Sequence, residues 1–252
     1  MKILIVNPNT TAGMTAKIGE AARSVASPGT EIVAVNPESG PVSIEGHYDE
    51  AFSVPGLLEE MARGKAEGVD AAVVACFDDP GLGACRELMD VPVVGICEAA
   101  MHAAAMTAGS FSVVTTLRRS IPVIEHLAHR YGMERHCRRV RAAQVPVLAL
   151  EDPASDAAQR VLAEIRRALD EDGAEAVLLG CAGMADLARR YTAEVGAPVI
   201  DGVAAATKFA EALAGLGIAT SKVGGYASPR PKPYAGVFAP MAPGGGLARA
   251  AE

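Results

Sequence analysis

The feature that most constrains this chain is that it contains itself twice. Glu67-Gly68-Val69-Asp70-Ala71-Ala72-Val73-Val74-Ala75-Cys76 is answered, 105 positions later, by Asp172-Gly173-Ala174-Glu175-Ala176-Val177-Leu178-Leu179-Gly180-Cys181. Val91-Pro92-Val93-Val94 is answered by Ala197-Pro198-Val199-Ile200 at a spacing of 106, and the opening run to Val6 by residues 111–114. A duplication on this scale means two copies of one folding unit rather than one irregular domain. The expected division is residues 1–105, residues 106–215, and a tail over 216–252. That tail is rich in Pro and Gly (Pro229, Pro231, Pro233, then Pro243-Gly244-Gly245-Gly246). It is expected to pack on the body or on a neighbouring subunit, with a disordered end.

Each copy alternates short β-branched runs with longer helical patterns. The runs fall at residues 3–6, 31–35, 71–75, 91–96, 111–114, 145–150, 176–179 and 198–200. They are continuously apolar, as strands covered on both faces must be. Between them apolar residues recur at helical spacing: Ile121, Ile124, Leu127, Ala128 and Tyr131 on one stretch, Val161, Leu162, Ile165 and Leu169 on another. Strand–helix alternation predicts an α/β fold of two pseudo-symmetric parallel-sheet halves, with a site in the cleft between them. After Cys76, Asp79 is expected to cap a helix that Pro80 begins.

Cys76 and Cys181 therefore sit at equivalent places, each at the carboxyl end of a parallel strand and just before a helix. Ligands of open α/β sheets bind outside such strand ends. A thiol at a helix N-terminus is expected to have its thiolate favoured, although Asp78 beside Cys76 opposes this. If the halves face each other about a pseudo-twofold axis, so do the two sulfurs. A thiolate on one face of a stereocentre can then remove a proton while a thiol on the other face returns one, which inverts carbon without a cofactor. Cysteine is also a small hydrophobe that is often merely buried, but that reading leaves two repeat-equivalent strand-end thiols unexplained. Cys85, Cys97 and Cys137 read as structural.

Other loops offer weaker signals. Asn9, in Asn7-Pro8-Asn9-Thr10-Thr11, and Thr115-Thr116 in the second half follow strands and could hold carbonyls or ring N–H groups, or serve only as turns and caps. Ser43, in the loop from Ser39 to Gly46, has the same ambiguity. No loop carries a GxGxxG or Walker A pattern, so nucleotide binding has no support. His126 and His129 lie opposite the apolar face of their helix and are expected in solvent, and no His/carboxylate cluster suggests a metal. The basic stretch Arg135 to Arg141 reads as a solvated face.

Composition narrows the partners. The net charge is −7 and aromatic residues are 4% with no Trp, which disfavours nucleic acid and anionic membrane. Five scattered cysteines without CxxC spacing, and an N-terminal apolar run too short for a signal peptide, lead to an expected cytoplasmic location.

Several segments together resemble the hydantoin racemases, including allantoin racemases, of the aspartate/glutamate racemase superfamily. They are Asn7-Pro8-Asn9-Thr10, Gly40-Pro41-Val42-Ser43-Ile44-Glu45-Gly46, Cys76-Phe77-Asp78-Asp79-Pro80-Gly81, Gly95-Ile96-Cys97-Glu98-Ala99 and Leu179-Gly180-Cys181-Ala182-Gly183-Met184. The resemblance implies cofactor-independent racemisation with Cys76 and Cys181 as the acid/base pair, and a homo-oligomer. Superfamily members acting on dicarboxylates usually carry Thr soon after each cysteine. Phe77-Asp78 and Ala182-Gly183 stand here instead, which argues against aspartate or glutamate as substrate. The expected reaction is racemisation of 5-monosubstituted hydantoins, with allantoin in range. The C5 proton is acidified by the adjacent carbonyl, and N–H groups after each cysteine are expected to stabilise the enolate. Asn9, Ser43, Phe77, Asp78, Thr115, Thr116, Ala182 and Gly183 are the candidate substrate contacts. The alternatives are an arylmalonate decarboxylase-like or maleate isomerase-like enzyme, or a non-catalytic small-molecule binding module.

Overall fold

The computed structural model describes residues 1–152 and 154–244. The first half runs β1 (Lys2–Val6), α1 (Ala12–Val25), β2 (Glu31–Val35), α2 (His47–Ala66), β3 (Ala71–Val74), α3 (Leu82–Leu88), β4 (Val93–Gly95), α4 (Ile96–Thr107). The second runs β5 (Phe111–Thr115), α5 (Ile121–Arg130), β6 (Cys137–Ala142), α6 (Ala157–Glu171), β7 (Ala176–Gly180), α7 (Ala188–Val195), β8 (Val199–Asp201), α8 (Gly202–Gly215). Each half forms a four-stranded parallel sheet with the same strand order, β2-β1-β3-β4 and β6-β5-β7-β8.

The continuous apolar runs work because successive side chains go to different cores. Ile3 and Ile5 face a central core with Phe111, Val113 and Leu178. Leu4 and Val6 face an outer core under α2 and α3, with Leu57, Met61 and Leu82. Val114, Val177 and Leu179 face a second outer core under α6 and α7. Each such fully buried aliphatic or aromatic side chain contributes about 1.5–3 kcal/mol over leaving it in water.

The central core binds the halves together. α8 packs against α1, β3 and β4 of the first half, while α4 reaches β7 and β8 of the second. The repeat-equivalent residues Ile96 and Gly202, at the starts of α4 and α8, touch: a Cβ on Gly202 would lie 2.5 Å from the Ile96 carbonyl oxygen. Glu211 on α8 accepts from the Ser27 N–H (2.7 Å), Ser27 Oγ (2.9 Å) and Thr30 Oγ1 (2.6 Å) on the α1–β2 turn.

Three sequence expectations are corrected. Residues 145–150 are not a strand: Pro146 lacks an N–H for a ladder, and Val147–Leu150 is a 3-10 turn. The edge strand is β6, from the basic stretch read as a solvated face. Arg135, Arg138 and Arg139 are exposed as expected, but Arg141 is buried and forks onto Asp172 (2.7 and 2.6 Å), which also accepts from Ser112 Oγ of β5. Finally, Asp79 does not cap the helix after Cys76, since α3 begins at Leu82 with Gly81 in the left-handed conformation as its cap. His126 and His129 are exposed on α5.

The tail lies across the first half. Thr220 Oγ1 donates to Val91 O and Lys222 Nζ to Arg86 O and Glu87 O, while the Arg86 guanidinium stacks 5.6 Å from the Tyr226 ring centre. Val237 and Phe238 of the tail are exposed, as are Tyr48 and Phe52 of α2. The expected disorder of the chain end falls on residues outside the described ones. No helix among the described residues is long and apolar enough to cross a membrane.

Candidate active site

The carboxyl ends of the two central strands of each sheet, β1 and β3, β5 and β7, converge on one cavity. Its walls include Asn9, Met14, Ile44, Ala75, Cys76, Phe77, Asp78, Thr115, Thr116, Ser120, Val147, Gly180, Cys181 and Ala182. The cavity is about 30 Å³, room for one or two waters. Both candidate thiols open on it, each partly exposed, whereas Cys85 and Cys97 are fully buried in α3 and α4.

The duplicated sequence folds into duplicated loops around the sulfurs. The Asp79 N–H donates to Cys76 O (3.0 Å) and the Met184 N–H to Cys181 O (3.1 Å), the same tight turn in each half. That turn aims the N–H two residues past each cysteine at its sulfur, Asp78 N–H in one loop and Gly183 N–H in the other. These donors serve the sulfurs, not a substrate oxygen as the sequence suggested, and Gly183 does not line the cavity.

Electrostatics also differ from the sequence expectation. Burial pushes the Cys76 thiol well above its ordinary value, and the Asp78 carboxylate adds to this against the Asp78 N–H. Burial likewise pushes Cys181 up to about 12, opposed by the Gly183 N–H and assisted by Asp78, Glu151 and Glu45. Helix ends do not outweigh desolvation, so both sulfurs rest as neutral thiols. Cys181 is near enough to raise Cys76 further. Asp78 is itself pushed up to about 7, first by burial and then by Glu50, with His47 opposing.

Of the predicted contacts, Asn9, Phe77, Asp78, Thr115, Thr116 and Ala182 line the cavity. Ser43 does not, and its neighbour Ile44 takes the wall instead. The Asn9 Oδ1 is occupied by Asn7 Nδ2 (3.0 Å) and the Thr11 N–H (2.9 Å), so only its amide N–H₂ faces inward, 3.3 Å from Met14 Sδ. Thr115 Oγ1 donates to Gly180 O (3.1 Å) and steadies the strand end that carries Cys181. The wall also takes Met14, Ile44, Ala75, Ser120, Val147 and Gly180, none of them among the candidates. Ser120, three residues ahead of Val123 and two ahead of Pro122 in the start signal of α5, was the one with a readable cue.

Loops from both halves, carrying Ile44 and Val147, form one wall of the cavity, its roof. Glu45 Oε1 accepts the Val147 N–H (2.9 Å), and Lys17 Nζ donates to Leu150 O (2.9 Å) and pairs with Glu151 (3.0 Å). Among the described residues, no group of three or more His, Cys, Asp or Glu side chains is gathered as metal ligands.

A sequence profile of the Asp/Glu/Hydantoin racemase family matches residues 3–210. The chain belongs to that family. Within it, the chain is 56% identical to the hydantoin racemase of Rhizobium meliloti, over 94% of this chain and 98% of that one. It is 49% identical to the hydantoin racemase of Pseudomonas sp. (strain NS671), over 94% and 96%. Among solved structures, the allantoin racemase from Klebsiella pneumoniae superposes with a TM-score of 0.93 at 52% identity, covering 95% of this chain and 98% of that one. Such values extend the family's two-sheet α/β fold over nearly the whole length of this racemase-family chain.

Proposed function

We propose that this protein is a cofactor-independent racemase of 5-monosubstituted hydantoins, with allantoin within its range, working through Cys76 and Cys181. The observation that carries the reading is that two thiols from repeat-equivalent strand ends open on one small cavity. The named activities of relatives at 49–56% identity point the same way.

The chemistry follows from the geometry. The sulfur that has lost its proton takes the C5 proton, and the C5–H electron pair delocalises onto the neighbouring carbonyl as an enolate. The opposing thiol then donates its proton to the other face of C5. Net charge is unchanged, and the two sulfurs have exchanged roles for the reverse direction. The Asp78 and Gly183 N–H groups stabilise whichever sulfur is ionised. The Asn9 amide and the Thr116 and Ser120 hydroxyls are the groups we assign to ring oxygens and N–H groups. Phe77, buried beside Cys76, keeps water from the carbanion.

We read the lobes of the enzyme as residues 1–105 and 106–215, exchanging α4 and α8 across the central core. We further propose a homo-oligomer that covers the exposed apolar residues of α2 and the tail, Phe52 and Phe238 among them. Five free thiols suit the reducing cytoplasm.

The test is polarimetry on each pure enantiomer of a 5-alkyl hydantoin and of allantoin, with no added cofactor. Rotation decaying to zero from both sides is the expected outcome. Stable rotation with every hydantoin, or turnover of an arylmalonate or maleate instead, contradicts the reading.

A further inference from the structure

The duplicated halves differ at one point that bears on Cys76 alone. α8 is capped by its own N-cap residue: Asp201 accepts from the Val203 N–H (3.0 Å) and the Ala204 N–H (2.8 Å). The repeat-equivalent helix α4 has Gly95 at that position, with nearly the same backbone (φ −86°, ψ 144° against φ −87°, ψ 128°). Gly95 has no side chain to cap with. The carboxylate arrives instead from the loop that carries Cys76. Asp79 accepts from the equivalent pair of donors, the Cys97 N–H (3.2 Å) and the Glu98 N–H (3.0 Å), and from Tyr131 Oη (2.8 Å) on the second half. A Cβ on Gly95 would lie 2.4 Å from the Asp79 carboxyl, so the glycine is what makes room for it.

This arrangement is indirect where a local cap would serve. Asp79 sits at φ 44°, a left-handed conformation that Asp adopts more readily than most L-residues. An Asp at position 95 would cap α4 directly, as Asp201 caps α8. The recruited cap does one thing a local cap cannot: it fastens the Cys76–Asp79 turn to α4 and to α5. We infer that Asp79, clasped by Tyr131 and admitted by Gly95, is a positioning residue that holds the Cys76 sulfur and its Asp78 N–H donor in place, with no counterpart for Cys181. The inference rests on reading Cys76 as one of the two acid/base groups, and its principal readout does not depend on racemisation.

Three variants separate positioning from capping: Asp79→Gly, which tolerates the positive φ; the double variant Asp79→Gly/Gly95→Asp, which returns a local cap to α4; and Tyr131→Phe, which removes one hydrogen bond. The readouts are melting temperature, iodoacetamide alkylation of Cys76 and Cys181 resolved by peptide mapping across pH, and kcat and KM for a hydantoin. The double variant should recover melting temperature lost by Asp79→Gly. Its Cys76 should nonetheless stay altered, alkylating about threefold or more faster near neutral pH as the loosened loop admits water. Cys181 should be unchanged, and kcat should stay depressed by about tenfold or more with a smaller change in KM. Tyr131→Phe should show the same selectivity in weaker form, and it carries the test if Asp79→Gly does not fold. The inference is overturned if Cys76 reactivity returns together with melting temperature in the double variant. It is equally overturned if Cys76 and Cys181 shift alike, or if Cys76 never shifts. Failure of the racemase reading shows separately, as absence of turnover in the unaltered protein with the alkylation pattern intact.

Discussion

At the scale of single residues, the site poses a conflict between burial and basicity. A thiol is a useful base near neutral pH only if part of it ionises. Here burial raises both sulfurs, Cys181 to about 12, and the carboxylate of Asp78 raises them further. What offsets this is small and local: one N–H aimed at each sulfur from the same turn. Two outcomes follow. Cys76→Ala and Cys181→Ala should each lower racemisation by about 10²–10⁴-fold while circular dichroism and melting temperature change little. The rate at low substrate should climb as pH rises above neutral, because the population with one ionised thiol grows. Asp78, with its pKa near 7, carries negative charge over that range. Asp78→Asn removes that charge, lowers both thiol pKa values, and should start the climb at lower pH. A kcat/KM profile for Asp78→Asn displaced to higher pH contradicts this electrostatic account.

At the scale of elements, what could be read in the sequence was what repetition and periodicity encode. Seven of the eight strand runs, the facing sides of α5 and α6, and the strand-end placement of Cys76 and Cys181 needed no tertiary information. What could not be read depends on partners distant in sequence. β6 is a basic stretch that becomes a strand because Asp172 takes its Arg141. Asp79 follows a local capping pattern, yet its carboxylate is taken by α4, a helix that starts 17 residues later. Ile44 and Val147 meet as cavity wall only because Glu45 latches the two loops. That latch is testable. If a hydantoin ring sits between the two sulfurs, a cavity of about 30 Å³ requires the roof to part for entry. Removing the Glu45–Val147 bond with Glu45→Ala should weaken closure by about 1 kcal/mol and speed alkylation of Cys181 about fivefold. An unchanged rate would show that the roof is not held there.

The whole molecule is held by groups that cross between the halves, and Glu211 on α8 is the clearest case. Burial works against its charge, but Lys208, Thr30 and Ser27 together hold its pKa at about 2, below the ordinary value of 4.5. A depressed folded-state pKa gives stability that is present above about pH 4.5 and lost as pH falls through about 2. Glu211→Gln should therefore cost about 2 kcal/mol at neutral pH, with the gap to the unaltered protein closing in denaturant titrations toward pH 2. A gap independent of pH would mean that its charge is not what ties α8 to the first half. At the same scale, the exposed tail side chains should be covered by another copy of the chain. Phe238→Asp should lower the mass measured by light scattering without changing the fold, and a monomeric unaltered protein would remove that proposal.

The central claim is that two bases work on opposite faces of one carbon, and solvent isotope tests it most directly. A single enantiomer of a 5-alkyl hydantoin is incubated with the protein in D₂O near neutral pH, and chiral separation with mass analysis follows the first few per cent of turnover. Two opposing thiols predict deuterium at C5 in essentially all of the newly formed enantiomer and almost none in the remaining substrate. New enantiomer that keeps the original hydrogen, or deuterium entering substrate and product equally, would mean that one base serves both faces.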